Sequence, residues 1–347
     1  MTIIRLTIAL LLANLSVMAW SGGHADEMDT EKIRKITKEF TVRSGEILSV
    51  DNQFGAVNVN LWEKPSIRVE IRITAIATSE SRAMAYLEAV NIQEERRGEK
   101  IMLQTIIGKD PFSNRYLAGP RRGTKSSIQI DYTVSMPKET ALIVKNQFGD
   151  THIPSFQAPL TIDSRYGGFF TNNLENVANL IEVSYGSAKM GRVAAGKMDF
   201  KYSDLHLDHI KSLELSNKFG EMHIGDVTTL DADIDYSNAR IGTIRGQGNI
   251  RLRYSGDFRI DDIRSKAEEI RIEAAYSSVV VPADANRFDI EVSYGSFRFP
   301  ASIARFTQSP GPNLKPNEVK RYKGMIGDGS GTKVVVHSRF GNVEFKK

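Results

Sequence analysis

Apolar and polar residues alternate through LELSNKFGEMHIGDV, residues 213–227. Leu213 and Leu215 keep one phase, the alternation stops at Phe219-Gly220, and it resumes in a new phase at Met222 and Ile224. Period-two alternation marks a strand with one buried face, so the stretch predicts two strands meeting at a corner. The chain writes this pattern repeatedly. With the aromatic residue as slot zero, the slot is filled by Phe54, Phe148, Tyr166, Tyr185, Tyr202, Phe219, Tyr236, Tyr254, Tyr276, Tyr294 and Phe340. From Phe148 to Tyr294 the successive intervals are 18, 19, 17, 17, 17, 18, 22 and 18 residues.

The neighbouring slots decide the geometry. Four residues before the aromatic every repeat is apolar, from Val50 and Val144 through Leu215 and Ile290 to Val336. Slots three and five after it hold apolar pairs such as Val57 and Val59, Leu205 and Leu207, Met222 and Ile224. Gly or Ser follows the aromatic in every repeat, which places the corner on a residue without a bulky side chain. A return through Val193, Ile210, Val227 and Ile244 closes the unit.

One such unit cannot bury its apolar face, but stacked units can, each pairing with its neighbours at roughly 4.8 Å. The pattern therefore predicts an all-β chain, a single-stranded β-solenoid (β-helix) of about 17–18 residues per coil, of undetermined hand. Propeller blades need about 40 residues and sandwich strands recur every 8 to 12 with hairpin turns, so neither matches this unit.

Two interruptions complete the organisation. Between Phe54 and Phe148 lies a small α+β insertion near the N-terminus, with strands at Ile67–Ile73, Ile101–Ile107 and Ile128–Val134 and a helix from Ser79 to Val90, suited to cover one end of the stack. Between Pro300 and Lys333, SPGPNLKPNEVKRYKGMIGDGSGTK reads as a Pro/Gly-rich surface loop. The expected division is 1–25 signal peptide, 26–61 N-terminal segment and first coil, 62–141 insertion, 142–303 solenoid, 304–333 loop and 334–347 final coil strands.

At VDNQFGAVNVN, VKNQFGDTHIP and IGDGSGTKVVVHSRFGNVEF the sequence resembles the bacterial putative-adhesin family of β-strand-repeat exported envelope proteins. The resemblance covers nearly all of the chain after the signal segment and implies surface binding. Its motifs are structural corners, and no catalytic residue comes with them.

Composition narrows the classes. Arg5 precedes an apolar run from Leu6 to Trp20, followed by small residues, which reads as a secretory signal cut after Ala25 or Ala19. The 347 residues include no cysteine, excluding disulfides, thiolate metal sites and cysteine nucleophiles. Formal charge is +4, and residues 91–125 alone hold eight Lys or Arg against four Asp or Glu, so the rest is near neutral and a nucleic-acid face is not expected. An exported, thiol-free chain points to the periplasm or surface of a bacterium.

Candidate chemistry lies on the outside of the coils. Slot four in consecutive repeats reads Lys189, His206, His223 and Arg240, with Arg259 as its continuation: a basic stripe for an anionic glycan, an envelope polymer or another envelope protein. Slot two beside the histidines holds Asp204 and Glu221, which would relieve the charge. Asp204, His206, Glu221 and His223 together have the ligand types of a divalent metal site, although repetition by itself brings such residues side by side. Asp231, Asp233 and Asp235 recur on one outward face in the manner of a calcium or lyase cluster, or simply as polar alternation. Asn52, Asn146 and Asn217 suit hydrogen bonding to the corner backbone. The loop Gly108–Ser127 combines Arg115, Arg121, Arg122 and Lys125 with Phe112 and Tyr116, a tip suited to anionic surfaces. No hydrolytic triad and no cofactor motif is legible. The reading is an exported non-enzymatic binding or scaffolding protein of the cell envelope, with a polysaccharide-active enzyme on a β-helix as the alternative.

Overall fold

A computed structural model describes residues 29–108, 126–264, 267–311 and 318–347. Within them the chain forms one helix, Glu80–Ala89, and 25 strands joined in one large sheet. Residues 1–25, read from the sequence as a signal segment, and Arg115, Arg121, Arg122 and Lys125, read as part of a basic loop, lie outside the described residues.

Successive repeats pair in parallel and in register, slot against slot. The column four residues before the aromatic runs Val50, Val144, Ile162, Ile181, Met198, Leu215, Ala232, Ile250 and Ile272 as direct partners. All nine are buried. Leu205, Met222 and Ala239 align beyond the corner, as do Leu207, Ile224 and Ile241, and these are buried as well. Each inward side chain is therefore flanked by its counterparts in two neighbouring repeats. Stacking removes from water what one repeat leaves exposed, worth about 1.5–3 kcal/mol per fully buried Leu or Ile.

The corner differs from the sequence-based expectation. The left-handed backbone sits on the aromatic residue itself: all eleven have φ between 50° and 62°. A non-glycine residue there costs about 1–2 kcal/mol. The glycine that follows serves a different need, because a Cβ on Gly220 would stand 2.0 Å from the Ser203 carbonyl oxygen of the adjacent repeat, and one on Gly341 would stand 1.9 Å from that of Ser277. Close approach of stacked backbones demands the small residue. Where serine fills the slot, its hydroxyl is used: Ser203 Oγ accepts from the Gly186 amide at 3.1 Å, and Ser277 Oγ from that of Ser255 at 3.0 Å.

Both ends of the stack are covered. At the N-terminal end, strands Lys100–Ile107 and Ser127–Pro137 extend it beyond the Phe54 repeat, pairing in parallel with Ile47–Gln53 and Val57–Trp62. Val90–Arg97, Ser66–Ala77 and Thr30–Thr41 then add antiparallel. The helix is capped by the Ser79 hydroxyl and buries Ala83, Tyr86 and Leu87. The strands Thr30–Thr41 and Val90–Arg97 escape the apolar count because they are charged edge strands, the composition that discourages further pairing.

The C-terminal end corrects two expectations. Within the stretch read as a loop, 304–333, residues Ala304–Gln308 and Lys320–Ile326 form an antiparallel hairpin, and the second strand pairs antiparallel with Arg287–Ser293. The last repeat in sequence is also not the last in space. Lys333–Arg339 slots between Glu269–Ala275 and Arg287–Ser293, parallel to both. The hairpin spans the outermost repeat and returns the chain to the place left open one layer inside it.

Candidate functional site

Because equal slots are strand partners, outward side chains form columns. On the face after the corner, slot four gives Asn58, His152, Phe170, Lys189, His206, His223, Arg240 and Arg259 in unbroken succession. Phe170 through Arg259 line a groove of about 720 Å3. A second concavity of about 540 Å3 shares Phe170 and Lys189 with it and reaches Asn58 and His152. The four residues singled out from sequence, with Arg259, thus lie side by side on one groove floor. His152, Phe170 and Asn58 were missed, although extending the slot to earlier repeats would have found them.

The rings of this floor stack on each other: His206 and His223 lie 5.1 Å apart with planes 22° from parallel, and His152 and Phe170 lie 5.0 Å apart at 15°. Each ring thus covers one face of its stacking partner. The charge relief differs from the one read at slot two. His206 Nε2 meets Asp208 Oδ1 at 3.1 Å, while Arg240 and Arg259 share Asp261 at 2.7 and 2.5 Å. Burial pushes the Asp261 carboxyl up, but the two guanidinium hydrogen bonds outweigh it and hold it below its ordinary range. Asp204 is instead occupied by the neighbouring backbone, its Oδ1 accepting from the Glu221 amide at 3.0 Å. Lys189 has no hydrogen-bond or ion-pair partner among the described residues.

Among the described residues no three His, Asp or Glu side chains gather as a metal-ligating group, and the Asp204, His206, Glu221, His223 quartet is no exception. The acids Asp231, Asp233 and Asp235 are each tied to a guanidinium of the next repeat: Arg251 reaches Asp233 at 2.5 Å and Asp231 at 3.0 Å, and Arg253 reaches Asp235 at 2.6 Å. The Arg251 hydrogen bond holds the Asp233 carboxyl below its usual range. A calcium or lyase cluster would need these oxygens free.

Two of the three corner asparagines bond the corner backbone. Asn52 Nδ2 donates to the Ile130 and Gly55 carbonyls at 3.0 and 3.3 Å, and Asn146 Nδ2 donates to Gly149 at 2.9 Å. Asn217 departs from this expectation: it is fully buried, neither amide atom has a partner among the described residues, and Phe200 and Ile234 hold the same slot on either side.

A second surface was legible only as a slot. The corner aromatics form one continuous ladder of ten ring contacts, with centroids 4.7–5.1 Å apart and planes within 15° of parallel. Nine of these rings are 39–52% exposed. The use of Tyr in seven of the eleven copies was the available signal, since a phenol with its hydroxyl in water suits a half-exposed site.

No described helix is long and apolar enough to cross a membrane. No family model and no curated protein matches the chain. Similar solved structures include a putative cell adhesion protein from Clostridium sporogenes, 13% identical with a TM-score of 0.20 over 91% of this chain and 99% of that one. Others are a putative adhesin from Bacteroides fragilis, 13% identical with a TM-score of 0.25 over 90% and 97%, and a putative lipid binding protein from Parabacteroides distasonis, 12% identical with a TM-score of 0.29 over 90% and 97%. The adhesin names are those of the group that the corner motifs resemble. At such TM-scores the likeness decides nothing about the function of this chain.

Proposed function

We propose that the chain is a single-stranded β-solenoid, exported to the bacterial envelope, that binds or scaffolds an extended glycan lengthwise along the slot-four groove and catalyses no reaction. The in-register parallel pairing of successive repeats supports the solenoid. Arg5, the apolar run Leu6–Trp20 and the absence of cysteine support export.

One observation carries the binding role: the groove floor is a row of four rings, two guanidinium groups, one ammonium and one amide that continues unbroken from Asn58 to Arg259. Eight repeats span roughly 34 Å at strand spacing, so a small molecule would use a fraction of the row whereas a polymer would use all of it. Imidazole edges, guanidinium and carboxylate groups offer donors and acceptors matched to hydroxyls. Lys189, where the two concavities join, supplies the unneutralised cation that favours a glycan bearing acidic groups.

The test is fractionation of cells followed by a glycan array with the chain lacking residues 1–25. Binding to acidic glycans is expected and should be lost when Lys189, His206, His223 and Arg240 are all replaced by Ser. Unchanged affinity of that variant would remove the groove as the site.

A further inference from the structure

The ladder of corner rings is flanked by two outward columns of opposite charge. On the side before the corner, the column beside the rings carries Arg165, Lys201, Lys218, Arg253 and Arg339 against one acid, Asp235. On the other side it carries Asp150, Asp204, Glu221 and Asp257 and no cation. Lys201, Lys218 and Arg253 pair with acids of their own chain yet keep 52%, 39% and 57% of their side chains exposed.

We propose that a second copy of this chain docks on the ladder, the two ladders running parallel about a two-fold axis along the stacking direction. Such an axis keeps each repeat level with itself and exchanges the flanks, so the basic column of one copy meets the acidic column of the other. At three levels the residues match one for one: Lys201 faces the other copy's Asp204, Lys218 its Glu221 and Arg253 its Asp257. No level brings like charges together. An antiparallel arrangement would lay basic column on basic column and acidic on acidic.

The exposed area is sufficient. Half of a ring that can bury 150–250 Å2 is roughly 100 Å2, so nine exposed rings offer roughly 900 Å2 per copy, against about 800 Å2 per partner in a standard stable interface. An aromatic stripe of this size on a lone molecule is otherwise an association liability.

Sedimentation velocity on the chain lacking residues 1–25, over a concentration series, tests this. A dimer is expected. Lys218→Glu and Glu221→Lys, each alone, place like charges opposite one another twice per interface and should weaken the dimer roughly tenfold or more. Mixing the two single variants, or combining both changes in one chain, restores opposite charges and should restore the dimer, which a merely structural effect of either substitution would not do. Circular dichroism verifies that the variants are folded. A wild-type chain that is monomeric at every concentration overturns the proposal, and so does a dimer that ignores the single reversals or fails to return on mixing. Lys201, Lys218 and Arg253 do not line the glycan groove whereas Asp204, Glu221 and Asp257 do, so Lys218→Glu reads the interface alone, and replacing Lys189, His206, His223 and Arg240 reads the groove while leaving both charged columns of the interface in place.

Discussion

Replacing Tyr236 separates the two opposing contributions at the corner. The residue sits at φ 50°, is 52% exposed, and stacks on Phe219 at 5.0 Å and Tyr254 at 4.8 Å. Truncation to Ala or Gly removes two ring contacts, together about 1–3 kcal/mol, and roughly 100 Å2 of buried area, about 2.5 kcal/mol. Both variants lose these equally. They differ in the backbone, because Ala still pays the left-handed cost of about 1–2 kcal/mol while Gly pays only the added chain entropy of about 0.5–1 kcal/mol. Tyr236→Gly should therefore be more stable than Tyr236→Ala by about 0.5–1 kcal/mol, although both fall below wild type. The exposed strand residue Glu214 is the control: Glu214→Ala should exceed Glu214→Gly by a similar amount, the usual order. Urea unfolding at equal m-value reads the four midpoints. If Ala equals or exceeds Gly at position 236, the strain at the corner is not borne by the aromatic backbone, and the account of the ladder as its compensation fails.

Three further outcomes are expected. Asn217→Leu should raise the unfolding free energy read from urea titration by about 1–2 kcal/mol, because a buried amide without a partner costs about 1–3 kcal/mol, whereas Asn146→Leu, which deletes corner hydrogen bonds, should lower it. Gly341→Ala should destabilise by about 1–3 kcal/mol because its Cβ meets a carbonyl rather than a yielding side chain, visible as a lowered thermal midpoint. The folded-state carboxyls of Asp233, Glu269 and Glu46 lie below their ordinary values, through hydrogen bonds from Arg251, from Lys333, and from the Arg43 amide with Arg96 respectively. Depressed values mean stability that is present above the unfolded values of 3.8 and 4.5 and lost as pH falls through the lower folded ones. Urea midpoints measured from neutral pH downward should fall below about pH 4, and Arg251→Met should flatten that fall.

The groove floor was legible because pairing in register turns sequence period into distance. Once Lys189, His206, His223 and Arg240 share a slot, parallel stacking makes them neighbours. Their counter-ions follow the same rule one outward position further on: Asp208 lies two residues after His206 and Asp261 two residues after Arg259, each within the same strand and on the same face. That Arg240 also reaches Asp261 of the next repeat is set by the reach of its side chain, which the slot pattern does not contain. Asn217 looked equivalent to Asn52 and Asn146 by slot, but a hydrogen bond needs a partner within reach, and its neighbours in adjacent repeats are Phe200 and Ile234.

By itself the sequence determined which residues face inward, the presence of a corner at each aromatic, and the equivalence of slots, because all three follow from side-chain alternation along one strand. Tertiary structure alone decided that the aromatic, rather than the glycine after it, takes the left-handed backbone, and that its ring lies half in water on an uninterrupted ladder. It also decided that the Phe340 repeat enters between those of Tyr276 and Tyr294. Equivalent repeats offer equivalent edges, so local pattern cannot rank them. The order in which they stack is fixed by the connection that happens to reach.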